Sequence, residues 1–218
     1  MRDLRLTFIA LLPASRYKNF LLRAIGHDVA KSARFGPCLV MGLDHIELEP
    51  DASIGPFNVL RDLSTLHLGH ASVIGQWNWI SASLPLRSAG GSGQFELGRH
   101  SALTSRHYVD ASGGVTIGEF TTFAGVRSTI ITHGINWKSS TQVTKPITIG
   151  SYCIISSNAA ITPGTVIGNG TIIGMGATVA GILPQNSALY ISERAKLVKV
   201  NVSGKYFERS SGFVHPAA

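Results

Sequence analysis

The 218 residues include 24 glycines and only 14% charged side chains, a makeup that suits one domain of closely stacked backbone with short appendages. The formal charge of +7 sits at the two ends: residues 1–36 carry seven Lys/Arg against two acids, 191–218 carry five against two, and 37–190 carry seven against eight. A nucleic-acid binder spreads basic and aromatic residues over one working face, so that class is set aside, and two cysteines, Cys38 and Cys153, form no disulfide framework and fit a reducing, cytoplasmic setting.

Residues 1–27 read as an amphipathic helical segment. Leu4, Phe8, Leu11 and Leu12 share one helical face before Pro13. Tyr17, Phe20, Leu21, Ala24 and Ile25 share another, with Lys18, Asn19 and Arg23 opposite. The apolar run from Leu6 to Leu12 is too short to span a bilayer, and no small-x-small cleavage site follows it cleanly. Two short helices are expected. They either cap the open end of the main domain or lie peripherally on the inner face of the cell membrane.

From residue 28 the chain becomes periodic. Val29, Leu48, Leu68, Leu97, Ile117, Ile149 and Ile167 begin a column of apolar residues. Six positions after each stands Phe35, Ile54, Ile74, Leu103, Phe123, Ile155 or Ile173, and six further on Met41, Leu60, Ile80, Val109, Thr129, Ile161 or Val179. Only Thr129 is not apolar. Four positions after the first column the residue is always small: Ala33, Ala52, Ser72, Ser101, Thr121, Cys153, Thr171. A period of six suits neither a helix nor a lone strand. It suits an all-β parallel β-helix with three short faces per turn, and glycines after the first and second columns would give the corners backbone freedom. About seven turns are predicted over residues 28–190.

The spacing also locates the irregularities. Successive first-column residues lie 19, 20, 29, 20, 32 and 18 apart, and the excess always falls between the third column and the next first column. One edge therefore carries both long insertions, residues 81–96 and 130–148. Loops on one edge of a rigid scaffold are where chemistry is usually placed. After Val179 the pattern fails: Ile182 to Asn186 read as an exit turn, and residues 191–218 as a basic C-terminal extension.

His133 stands in the second insertion, within Thr132-His133-Gly134-Ile135-Asn136, and imidazole is the side chain best suited to act as a general base near neutral pH. The competing reading is a solvated loop histidine. His107 falls in a corner column with Leu39, Asn58, Asn78, Arg127, Ala159 and Ala177. Such a ladder either satisfies backbone groups or, with Arg127 and Asp110, faces a ligand. Trp77, Trp79 and Trp137 could stack on a sugar, and for Trp77 and Trp79 the alternative is cover for a side face.

Thr132 to Asn136, then Lys145-Pro146-Ile147-Thr148-Ile149-Gly150, then the repeats Ile161–Gly170 and Ile172–Val179 resemble the catalytic half of the hexapeptide-repeat acyltransferases. The resemblance covers residues 28–199, and the look-alikes include sugar O-acetyltransferases of bacterial exopolysaccharide synthesis, the colanic acid type among them. It implies a left-handed β-helix, a homotrimer with active sites between subunits, and acyl transfer from acetyl-CoA with no metal. The acceptor would be a small-molecule or lipid-linked sugar. By position, His133 would be the base, with His107 or Asp110 holding the acceptor or orienting that base. Ser157, Met175, Ala180, Lys196 and Lys199 would meet the coenzyme. The chain departs from the pattern at Ile154, where the family often has Trp, and at Ala180-Gly181, which replace a Thr-Lys pair.

Two rivals share the fold. A γ-class carbonic anhydrase needs three histidines around zinc, and no second histidine follows His133 until His215. A non-catalytic scaffold or interaction module would have no use for a histidine on the decorated edge. O- versus N-transfer, and acetyl versus longer acyl, stay open at this level.

Overall fold

The computed structural model describes residues 4–193, 200, 201, 203 and 205–208. The chain winds into a left-handed parallel β-helix of triangular section running from Asp28 to Tyr190. Two of its faces are eight-stranded parallel sheets and the third has seven strands. The first column stacks in register from Val29 through Leu48, Leu68, Leu97, Ile117, Ile149 and Ile167 to Leu183. The second runs from Phe35 to Tyr190 in the same manner. Nearly all of these side chains are buried in one continuous core. Each contributes roughly 1.5–3 kcal/mol, so the coil is stabilised turn by turn.

Three expectations require correction. The third column holds Val40 and Ile130, not Met41 and Thr129: Val40 pairs with Leu60, and Ile130 lies between Val109 and Ile161. In the first turn the step from Phe35 to Val40 is five residues. In the fifth, the pairing of Leu103 with Phe123 slips to Ser105 with Val126, so one extra residue is accommodated at Gly125 (φ +87°). The bulge carries Ile130 inward, and the third column is apolar throughout. The exit turn is also revised. Ile182–Leu183 and Leu189–Tyr190 pair with the turn below and add two sides of an eighth. Their spacings from Ile167 are irregular, which hid them from a period of six.

Glycine's part at the first corner also differs from expectation. The left-handed backbone there is adopted by His100, Phe120 and Tyr152, at φ 55–60°. The amide of each is paired to the turn below, which offsets a cost of about 1–2 kcal/mol per residue. The glycines just before them answer a different need. A Cβ on Gly98 or Gly118 would stand 2.7 Å from backbone atoms of the next turn. Hydroxyls finish the corner: Thr121 donates to the Gly150 carbonyl at 2.7 Å and accepts from the Cys153 amide at 2.9 Å. Both cysteines are buried and free.

Helices α1 (Leu4–Leu11) and α2 (Arg16–Ala24) close the N-terminal end. The Lys18 ammonium, fully buried, donates to the carbonyls of Ala10, Leu12 and Gly36, and the Asn19 amide to those of Ala30 and Ala33. Helix α2 therefore turns its polar side onto the solenoid, the opposite of an ordinary amphipathic helix. The capping expectation is met, with the faces inverted. No helix among the described residues is long and apolar enough to cross a membrane.

Candidate active site

Both insertions emerge at the third corner and meet there. The first contains a short helix, α3 (Leu84–Ser88), held down by buried Leu86 and by Arg87, which reaches the Asp62 carbonyl at 2.8 Å and pairs with Asp44. The second is a hairpin of His133–Asn136 against Thr141–Thr144, and α3 packs on its return strand. His133 is the first residue to leave the coil: its side chain is 36% exposed, it pairs with Thr144 in the hairpin, and its neighbour Thr132 is still bonded to the coil through Asp110.

Beneath it lies Asp110, at the end of a third-face strand and almost wholly buried. His133 Nδ1 approaches Asp110 Oδ2 at 2.7 Å. The same oxygen accepts from the Thr132 amide at 2.9 Å and the Thr132 hydroxyl at 2.7 Å. The other carboxylate oxygen accepts from the Ser112 hydroxyl and amide. Ser112 Oγ in turn accepts from the Ser83 amide at 2.9 Å, which links the first insertion to the carboxylate. Burial alone would raise the Asp110 carboxyl, but the bonds from Ser112, His133 and Thr132 outweigh it and hold it below its ordinary value. A carboxylate only accepts, so this contact puts a ring proton on His133 Nδ1, and in that tautomer of the imidazole Nε2 is the acceptor.

His133 and Asp110 open onto a cleft of about 370 Å³ whose walls include Arg61, Trp79, Ser81, Tyr108 and the start of α3. Trp79 and Tyr108 are register partners on neighbouring third-face strands, whose backbones lie about 4.8 Å apart, and both side chains are exposed. Arg61 at the rim pairs with Asp62 at 2.8 Å.

The structure does not bring His107 to this cleft. It is buried in the second corner within a ladder in which the Asn78 amide donates to Asn58, the His107 amide to Asn78, and the Ser128 amide to His107 Nδ1. Its Nε2 meets Thr104 Oγ1 at 3.0 Å. With both ring nitrogens engaged, and its pKa pushed down to about 4 by burial, His107 is a neutral structural group. The bulge at Gly125 puts Ser128, not Arg127, into that ladder.

Of the expected coenzyme residues, Ser157 and Met175 stand at successive turns of the second corner, where the Gly176 amide bonds the Ser157 carbonyl at 3.0 Å. Ser157 Oγ accepts from the Val126 amide at 3.1 Å, and Met175 is exposed. Ala180 follows the last third-face strand and shares the third corner with Asp110. Lys196 and Lys199 lie outside the described residues. Sequence reasoning passed over Ser112 and Thr132, since buried hydroxyls carry no spacing signal of their own. Among the described residues no cluster of three or more His, Cys, Asp or Glu side chains is placed to hold a metal ion.

Residues 141–181 match the family described as bacterial transferase hexapeptide (six repeats). No curated protein matches the chain. Among solved structures it is similar to a hexapeptide-repeat-containing acetyltransferase of Vibrio cholerae O1 biovar eltor, determined in complex with acetyl coenzyme A. That likeness has 19% identity, covers 63% of this chain and 72% of that one, and has a TM-score of 0.46.

Proposed function

We propose that this chain transfers an acetyl group from acetyl-CoA to a hydroxyl of a sugar, with His133 as general base. The observation that carries the reading is the short His133–Asp110 contact at the mouth of an aromatic-walled cleft. Nε2 takes the proton of the acceptor hydroxyl as the oxygen attacks the thioester carbonyl. The tetrahedral intermediate collapses, the C–S bond breaks, and the imidazolium returns its proton to the departing thiolate. Asp110 stays ionised throughout and stabilises the imidazolium, as the carboxylate of a catalytic triad does. Outward rings at Trp79 and Tyr108 offer a sugar a stacking platform one step from the base.

An exposed apolar column on the second face, Ile154, Ile172 and Leu189, supports a homotrimer. A closed ring of that kind would set one copy's second corner, with Ser157 and Met175, against the next copy's third corner. The coenzyme would then run between copies, and Lys196 and Lys199 are kept, on the resemblance alone, as the groups for its phosphates.

The test is thiol release from acetyl-CoA in the presence of a panel of mono- and disaccharides. One or more sugars should stimulate release by the wild-type chain, and His133→Ala should lower kcat by about 10²–10⁴-fold. Asp110→Asn should lower kcat with little change in the Michaelis constant for acetyl-CoA, because the carboxylate positions the base and touches no substrate. Trp79→Ala should instead raise the Michaelis constant for the sugar. Sugar-stimulated release unchanged in His133→Ala removes the proposal.

A further inference from the structure

The N-terminal helices present to solvent the side that a soluble helix would bury. On α2 the exposed arc reads Arg23, Arg16, Phe20, Ala24, Tyr17, while Lys18, Asn19 and Leu22 face the coil. On α1 the buried side chains are Leu6 and Ala10, and Leu4, Phe8 and Leu11 point away. The inversion has a cause on the inner side: the open end of the solenoid offers carbonyls, and Lys18 and Asn19 are spent on them. It leaves large apolar side chains, Phe8 at 69% and Phe20 at 57% exposed, uncovered by any of the described residues.

Basic groups border this patch. Arg16, Arg23 and Lys31 line one shallow cleft beside α2, which continues past Ser15 and Ser32 to Arg34, with Asp51 on its far rim. A second copy seated here isologously would set these cations against their own equivalents. An anionic partner meets no such repulsion. A flat bilayer with anionic headgroups answers both features at once, taking the aromatic and leucine side chains below its headgroups and the cations among its phosphates.

We infer that the N-terminal end of the solenoid is a docking surface for an anionic lipid bilayer, through Leu4, Phe8, Leu11 and Phe20 as the apolar wedge and Arg16, Arg23, Lys31 and Arg34 as its cationic border. The surface stands apart from the His133 cleft. Docking would hold the coil axis steeply to the membrane with the third corner above it, a placement suited to an acceptor carried on a lipid.

The test is co-sedimentation of the full chain with vesicles of phosphatidylcholine alone and with about one-third phosphatidylglycerol. The chain should pellet with the anionic vesicles and not the neutral ones, and raised salt should weaken binding. Phe8→Ser with Phe20→Ser, and separately Arg16→Glu with Lys31→Glu, should each weaken it roughly tenfold or more. Circular dichroism and thermal unfolding of the same variants separate lost docking from lost fold. Failure to pellet with anionic vesicles, equal binding to neutral ones, or binding indifferent to both double variants overturns the inference. So does an assembly in vesicle-free solution that Phe8→Ser with Phe20→Ser takes apart, since a second copy then covers the face. Acetyl transfer to a soluble sugar is read separately, so either proposal can fail alone.

Discussion

His107 and His133 have the same side chain and opposite fates, set by what surrounds each ring. Burial lowers His107 from 6.5 to about 4, so the unfolded chain binds a proton that the folded chain refuses. Stability tied to this group is complete above about pH 6.5 and is lost as the pH falls towards 4, to at most about 3 kcal/mol. His107→Asn would extend the asparagine ladder with a group that does not titrate. Thermal unfolding between pH 7 and 4 should then fall less steeply than in wild type; an equal slope in both would show that the histidine is not the source. Asp110 works in a lower window: its carboxyl is held below the ordinary 3.8, so its contribution persists above that value and disappears as the pH falls through the folded one. His133 was legible because it stands in a loop on the decorated edge, and Asp110 as a neighbouring acid. The sequence leaves Asp110 and His107 as two alternatives for the group that orients His133; the choice between them was not legible, because 23 residues separate Asp110 from His133 and the contact depends on the third-column register that Ile130 sets.

At the scale of the turn, one glycine decides register. Gly125 lies at φ +87°, and a Cβ there would meet Ser157 Oγ at an impossible 1.8 Å. Gly125→Ala should cost about 2–3 kcal/mol and unseat Ile130. Gly134 in the hairpin has nothing within 4 Å of an added Cβ, so Gly134→Ala should stay within about 0.5 kcal/mol. Chemical denaturation of the pair checks both values, and equal losses would contradict this account of the bulge. The six-residue period exposed most of the coil in the sequence, because each rung repeats one small problem of burial and corner closure. It failed where a rung changed length: at Val40, at Ile130, and in the last turn at Leu183 and Tyr190. The inverted N-terminal helices were hidden for another reason. The moment of a helix tells which sides differ, and the carbonyls waiting at the end of the coil decide which side goes in.

For the whole molecule, rigidity and position go together. A stack of parallel sheets offers little room for motion, so groups on its edge are held in place without a lid, and both insertions can be spent on a single cleft. The outward column Ile154–Ile172–Leu189 is where copies should meet: Ile172→Lys should shift light scattering from three times the chain mass towards one, and lower acetyl transfer with it. A wild-type chain that is monomeric at working concentration would leave the cleft to a single copy. The measurement that bears most directly on the central claim is a crystal structure of the full chain with coenzyme A. The account places the thiol sulfur at the third corner, within about 4 Å of His133 Nε2, close to attack distance. A coenzyme bound with its thiol far from that nitrogen, or held away from this corner altogether, would contradict it.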